Sequence, residues 1–206
     1  MILSASYRTD IPAFYADWFS ARLAAGYAVV PNPYGGKPSR LSLKPADVTA
    51  FVFWTRNPAP FLPALGRVAG MGIPFALTVT ILGYPRALDR SVPAPDAVID
   101  SLKRVAATHG PGRIVWRYDP IVLTPQTDAA WHRGQVAHLA DRMAGLTDEM
   151  TVSFLSPYAK TKRNLARAVG AEGAGWWDPP EGEKIARRPR ASTRTACPAS
   201  PAARSP

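Results

Sequence analysis

Polar residues that could do chemistry follow each apolar, strand-like segment of the chain, at the point where the segment ends. The carboxyl ends of parallel strands meet at one mouth of a barrel, so these residues are expected to converge there. The five motifs are Arg8-Thr9-Asp10, Thr55-Arg56-Asn57-Pro58, Gly83-Tyr84-Pro85, Arg117-Tyr118-Asp119-Pro120 and Ser156-Pro157-Tyr158-Ala159-Lys160.

Arginine is the residue type that indicates the chemistry of this site. Its planar guanidinium group matches carboxylate and phosphate groups, so we expect Arg8, Arg56 and Arg117 to bind an anionic substrate or cofactor. Asp10 and Asp119 would orient these arginines or serve as catalytic acid and base groups. The anion-binding set is completed by Asn57, Tyr84, Ser156 and Lys160.

A structural role is the alternative for several of these residues. Asp10, Asn57, Asp119 and Ser156 belong to the residue types that cap helices. Arg8 and Arg117 could also form ion pairs with the nearby aspartates Asp10 and Asp119. The convergence of two or three arginines and two aspartates favours the functional alternative, because such a cluster is costly to bury in a core.

Metal and thiol chemistry have little support in this sequence. His132 and His138 are six residues apart and do not share a helix face, and no metal site is predicted from them and His109. A single cysteine, Cys197, excludes a disulfide framework and a multi-thiolate metal site built by this chain alone. Tryptophans 18, 54, 116 and 131 are interpreted as core residues.

Strand-like and helix-like segments alternate along the chain, which predicts βαβ units and a parallel sheet. Several strands are apolar on both faces, as expected for a sheet that is covered on both sides. Strands are predicted at 3–8, 27–30, 39–43, 50–54, 75–82, 113–118 and 150–155. Helices are predicted at 14–23, 59–69, 94–108, 128–146 and 160–169.

The number of predicted strands, six or seven, favours an incomplete (β/α) barrel over a doubly wound sheet. A closed eight-strand barrel takes about 250 residues, and this chain has 206. No Gly-x-Gly-x-x-Gly motif and no P-loop follows any strand, which argues against a dinucleotide-binding fold. The fold class predicted is therefore α/β, barrel-like, with a partial barrel over residues 1–185 and a disordered basic tail over 186–206.

The net charge of +10 is divided between these two parts. All acidic residues lie at or before Glu183. The charged residues of the tail, 186–206, are all arginines, so half of the net charge belongs to the tail. A basic tail allows weak, salt-sensitive binding of nucleic acid as an alternative function. No apolar run suits a membrane span and the start is too short and polar for a signal peptide, which predicts a cytoplasmic protein.

Four segments of the chain resemble a bacterial family of unknown function, domain-of-unknown-function family 1848. The segments are SASYRTDIPAF (4–14), FWTRNP (53–58), VWRYDPI (115–121) and SFL (153–155), and the resemblance covers about residues 1–185. It implies a (β/α)-barrel enzyme. Full-length members end in a cysteine-rich segment similar to that of radical S-adenosylmethionine enzymes, which implies a 4Fe-4S cluster and S-adenosylmethionine in those relatives.

This chain departs from the family pattern at its end, because Cys197 stands alone and cannot hold such a cluster. No cofactor is therefore expected on this chain. The change of composition near residue 186 leads to the hypothesis of a frameshifted or truncated copy. Three functions are carried forward: an enzyme that binds a small anionic ligand, a nucleic-acid-binding protein, and a truncated copy without activity.

Overall fold

The computed structural model describes residues 1–32, 34–155, 163–164 and 167, and the strand formed by 193–196. Strands and helices alternate along the chain, as the sequence predicts. In chain order the elements are β1 (Ile2–Ser4), α1 (Ile11–Phe14), α2 (Ala16–Ala25), β2 (Tyr27–Val30), β3 (Ser39–Ser42), β4 (Ala50–Thr55), α3 (Leu62–Gly70), β5 (Phe75–Thr80), α4 (Pro95–His109), β6 (Ile114–Ile121), α5 (Ala129–Met143), β7 (Glu149–Phe154) and β8 (Thr193–Ala196).

The central sheet contains five parallel strands in the order β1-β4-β5-β6-β7, so the strand order follows the order along the chain. Parallel crossovers are almost always right-handed, and sequential right-handed crossovers place every connecting helix on the same face of a sheet. The predicted α/β fold with a parallel sheet is confirmed. The sheet is wound in one direction and lacks the reversal of strand order that defines a doubly wound fold.

The helix-covered face of this sheet holds the hydrophobic core. Phe51 and Phe53 of β4 are buried there, and their rings pack with Phe19 of α2 and with Phe61, which precedes α3. The centroids of the Phe53 and Phe61 rings are 4.8 Å apart in an edge-to-face arrangement, a geometry that aromatic pairs prefer. This cluster fixes the first two helices against the strand that leads to Arg56.

The opposite face of the sheet is only partly covered, so the prediction of a sheet buried on both faces is wrong. Side chains alternate along a strand, and β4 and β6 alternate between buried and more exposed positions. Trp54 lies on the more exposed face and is 39% exposed. On the neighbouring strand β5, Thr78 is in register with Trp54. Two residues further along β5, Thr80 is in register with Arg117 of β6. The open face therefore carries the polar residues of the strand ends.

Local sequence signals explain where the helices begin and end. Asp10 caps α1 and Asp128 caps α5, each through a side-chain oxygen that accepts a backbone N–H. Gly26 ends α2 in the left-handed conformation. Helix α5 is shorter than predicted at its carboxyl end, because the backbone leaves the helical region at Ala144 and turns through Gly145.

The remaining strands lie outside the parallel set. β2 and β3 form the predicted antiparallel hairpin as a separate two-strand sheet. β8 pairs antiparallel with β7 and lies within the segment for which the sequence predicts disorder. Across the described ranges, the large sheet runs from β1 at one edge to β8 at the other, and these edges do not pair with each other. The predicted helix at 160–169 falls mostly outside the described residues.

Candidate functional site

The carboxyl ends of β4, β5 and β6 bring together the residues of the candidate site. Arg56 directly follows β4, Thr80 ends β5, and Arg117 and Asp119 lie on β6. The side-chain alternation of β6 places Arg117 and Asp119 on the partly exposed face, because the intervening Tyr118 is fully buried in the core. These four residues thus lie at the carboxyl ends of three neighbouring strands, and the site predicted there stays a prediction.

Arg117 is held by groups from two strands. Its Nη2 donates a hydrogen bond to Asp119 Oδ2 in an ion pair, and Ser153 Oγ of β7 donates to the other oxygen of the same carboxylate. The guanidinium also lies over the ring of Trp54, with Cζ 5.6 Å from the ring centroid, within the range of a cation–π contact. Asp119 therefore orients Arg117, the first of the two roles predicted for it.

Arg56 is paired with a residue that the sequence did not single out. Its Nη1 donates to Asp89 Oδ1, and Asp89 lies in the long connection between β5 and α4. The two arginines are close enough to interact electrostatically. Burial lowers the pKa of Arg117, and the positive charge of Arg56 lowers it further. Because two like charges repel, an anion that contacts both guanidinium groups would relieve part of this unfavourable interaction.

Each guanidinium retains unused hydrogen-bonding capacity. A guanidinium has five N–H donors, and one carboxylate contact is present for each of Arg56 and Arg117. Across the described ranges, the sole buried side-chain polar atom without a partner is Ser6 Oγ. The remaining nitrogens of both arginines are therefore accessible from the solvent side. Their side chains are 34% and 28% exposed, respectively.

Asp10 has a clear positional role. Its Oδ1 accepts from the Ala13 N–H at 3.0 Å, and its Oδ2 accepts from Thr55 Oγ1 at 3.0 Å and from the Arg56 N–H at 2.9 Å. One carboxylate thus caps α1 and ties this helix to the end of β4. The capping alternative is confirmed by these contacts, whereas the predicted catalytic role of Asp10 stays a prediction.

Two other predicted residues, Arg8 and Asn57, make backbone contacts. Arg8 Nη1 donates to the Pro31 carbonyl at 2.7 Å, which directs it to the β2–β3 connection. The structure shows no ion pair between Arg8 and Asp10, while the Arg117–Asp119 pair is present. Asn57 Oδ1 accepts from the Ala59 N–H at 3.3 Å, so Asn57 closes a local Asx turn before the short helical turn at 59–61. Ser156 and Lys160, the last two predicted members, lie outside the described residues.

Tyr84 joins two loops at the same edge of the sheet. Its hydroxyl donates to the Pro120 carbonyl at 2.9 Å and accepts from the Val122 N–H at 2.7 Å. Its ring stacks on Trp131 of α5 with centroids 5.5 Å apart. Burial raises the pKa of Tyr84 above its usual range, so the hydroxyl stays neutral and keeps both hydrogen bonds.

His132 takes part in a buried hydrogen-bond chain next to Tyr84. Its Nδ1 is 2.8 Å from Tyr118 Oη and its Nε2 is 3.1 Å from the Val122 carbonyl. The carbonyl can only accept, so Nε2 carries the proton and Nδ1 accepts from the tyrosine. Both ring nitrogens are used in the core. Within the part of the chain that the structure describes, no three His, Cys, Asp or Glu side chains are grouped to hold a metal ion.

A cavity of about 170 Å³ lies beside Arg56. Its apolar wall includes Leu82, and its polar lining comes from Arg56, Thr80, Tyr84, Arg86, Asp89 and Gln135. Gly83 permits this arrangement, because its φ is +67° and a Cβ atom there would lie 2.0 Å from Gln135 Nε2. Sequence patterns did not identify Asp89, Thr80 or Gln135, since each comes from a different element and none stands in a motif.

The fold and this site define an α/β protein with a parallel sheet wound in one direction and arginine–carboxylate pairs at the carboxyl edge of that sheet. The sequence profile of the family described as Domain of unknown function (DUF1848) matches residues 2–193, and the chain belongs to this family. The match extends beyond residue 185, where the sequence resemblance was expected to stop. No curated protein and no solved structure matches the chain.

The iron–sulfur cluster that the resemblance implies for full-length relatives does not fit the residues of this chain. A three-thiolate cluster needs three cysteines, and the sequence contains one, Cys197, which lies outside the described residues. No step of a mechanism is therefore derived through such a cluster. Among the described residues, none of the helices is long and apolar enough to cross a membrane.

Proposed function

We propose that this chain is a barrel-type α/β domain that binds a small molecule through an anionic group at the carboxyl edge of its sheet. Arg56 and Arg117 are the binding residues, and Asp119 positions Arg117. The observation that carries the proposal is the approach of two half-buried guanidinium groups on the open face of the sheet, each with accessible N–H donors.

The barrel-type fold is supported by the winding of the sheet. The described strands follow one another in chain order, and the helices belong to one face. In a (β/α) barrel the uncovered face is the interior, and active sites are built at the carboxyl ends of the strands. Arg56, Arg117 and Asp119 occupy those ends on that face.

The hydrogen bonds of Asp119 support a positioning role for this residue in the proposed binding site. Both oxygens of Asp119 accept hydrogen bonds, one from Arg117 and one from Ser153. A carboxylate held in this way fixes the guanidinium plane, which prepares its remaining donors for a planar carboxylate or a phosphate. We assign Asp119 to positioning, and its use as an acid or base is a separate proposal that a pH–rate profile would address.

A ligand-induced stabilisation assay tests this function. Melting temperatures of the full chain would be measured with inorganic phosphate, propionate and succinate, because a ligand that binds the folded state raises its stability by mass action. At least one anion should stabilise the protein, and Arg56→Gln and Arg117→Gln should each reduce the apparent affinity at least tenfold.

The matched control is Arg142→Gln, which removes an arginine paired with Asp96 on two helices outside the site. This variant should bind the anion as the unchanged chain does. The proposal is wrong if no anion stabilises the folded protein, or if the three arginine variants lose affinity equally.

A further inference from the structure

The cavity beside Arg56 offers a cation and an anion to its ligand at the same time. Arg56 and Asp89 both line it, and they form an ion pair through one nitrogen and one oxygen. Asp89 Oδ2 has no protein donor among the described residues. It is also absent from the buried polar atoms that lack a partner, so it is accessible to solvent. Both members of the pair therefore line the cavity and keep solvent-accessible polar atoms, and Asp89 also lines the neighbouring cavity.

Two neutral polar groups complete the lining. The Thr80 hydroxyl and the Gln135 amide line the cavity and have no hydrogen-bond partner among the described residues. Both groups are accessible to solvent. The third charged residue of the wall, Arg86, is directed to the loop backbone, where Nη1 donates to the Val92 carbonyl at 2.7 Å. The groups of the wall that keep free hydrogen-bonding capacity are thus the guanidinium groups of Arg56 and of the exposed Arg86, the Asp89 carboxylate, the Thr80 hydroxyl and the Gln135 amide.

The size of the cavity limits the ligand. At about 170 Å³, it is comparable to an engineered cavity of about 150 Å³ that accommodates benzene. A nucleotide or a sugar phosphate would extend beyond it, toward the neighbouring cavity of about 470 Å³ that shares Asp89 and Val92 with it. Leu82 and Val98 provide an apolar wall next to the polar groups, which suits a short hydrocarbon side chain.

We infer that the ligand of this cavity is a free α-amino acid, whose carboxylate binds Arg56 and whose ammonium group binds Asp89. This inference rests on the proposed anion site, of which Arg56 lines the cavity and Arg117 does not, and it specifies the ligand class. The adjacent guanidinium and carboxylate match the adjacent charges of a zwitterion. A simple carboxylic acid would satisfy Arg56 and leave the accessible oxygen of Asp89 without a donor, which costs affinity in a partly desolvated site.

The experiment compares three chemically matched sets of probes by calorimetric titration of the full chain. The sets are the common L-amino acids, the carboxylic acids that lack the amino group of each, and the amines that lack the carboxylate of each. At least one amino acid should bind at least tenfold more tightly than both of its counterparts. Asp89→Asn should remove this preference and reduce the amino acid to the affinity of the acid.

The matched control is Asp96→Asn, which removes an aspartate from another arginine pair and should leave the preference unchanged. Melting temperatures of both variants show whether the fold persists. If the carboxylic acids bind as tightly as the amino acids, the zwitterion inference is wrong and the anion site remains. If no probe of any set binds while inorganic phosphate still stabilises the chain, the inference alone is wrong. If phosphate also fails, the proposed function is wrong as well.

Discussion

Replacement of Asp10 by alanine should destabilise the protein far more than the loss of an ordinary helix cap. The carboxylate accepts three hydrogen bonds, from the Ala13 N–H, the Thr55 hydroxyl and the Arg56 N–H. Loss of a cap costs about 1 kcal/mol. Loss of the acceptor for the other two donors adds about 2 kcal/mol, since hydrogen bonds to charged groups are stronger than average.

The expected total is about 3 kcal/mol, which corresponds to a fall in melting temperature of about 6–12 °C for a chain of this size. Chemical denaturation followed by circular dichroism would measure the change in the free energy of unfolding. The free energy of unfolding of Asp10→Asn should lie between that of the unchanged chain and that of Asp10→Ala. The single carbonyl oxygen of asparagine can retain the cap, but its amide nitrogen cannot accept the other two hydrogen bonds.

The control for this experiment is Asp128→Ala. Asp128 also caps a helix, but its side chain accepts only the Trp131 N–H, at 2.7 Å. This variant should lose about 1 kcal/mol. Equal losses in Asp10→Ala and Asp128→Ala would refute the reasoning that Asp10 also ties α1 to the end of β4.

Three further outcomes are expected from the structure. Gly83→Ala should lower the free energy of unfolding by about 1–3 kcal/mol in a denaturation experiment. Adding Gln135→Ala to this variant should recover only part of the loss, because it removes the clash but not the positive φ. Stability should fall as the pH rises above about 10, since the raised pKa of Tyr84 makes the folded state bind more protons than the unfolded state. Tyr84→Phe should weaken this alkaline dependence in melts at several pH values and leave the part that comes from Tyr118, whose pKa is also raised by burial. The same variant should lower stability at pH 8, because it removes the acceptor for the Val122 N–H. Thr147→Val should cost about 1–2 kcal/mol in urea denaturation, because it deletes a buried hydroxyl that donates to a strand carbonyl at 2.7 Å.

The alternation of strands and helices was predictable because each element carries its own local signal. The apolar run that forms β4 and the capping Asp10 are such signals. The helices are recognised by apolar residues spaced three or four apart, because one face of each helix is buried. The covering of the sheet was not predictable in the same way. Trp54 and Val52 are as apolar as core residues, and only the direction of winding determines that their face is left open.

The arginines of the site were predictable from their place after the strands, but their partners were not. Asp89 is 33 residues from Arg56 in a loop without a recognisable motif, and Ser153 is 34 residues from Asp119. Such contacts depend on how strands and loops of different βα units meet in space. The expectation that Arg8 belongs to the same anion site treated every strand end alike, whereas Arg8 is hydrogen-bonded to the β2–β3 connection.

The charge balance at the carboxyl edge restricts the ligands that this protein can hold. Arg56 and Arg117 are accompanied there by Asp89 and Asp119, and Asp10 lies directly behind Arg56. At about 4 Å, a pair of unit charges near a protein surface interacts by about 4 kcal/mol, so attraction of a polyanion to the guanidinium groups is opposed by repulsion from the carboxylates. A ligand with one carboxylate and one ammonium group gains from both kinds of residue. The same ion pairs thus support the proposed small zwitterion over a nucleotide or a polyphosphate as the ligand of this site.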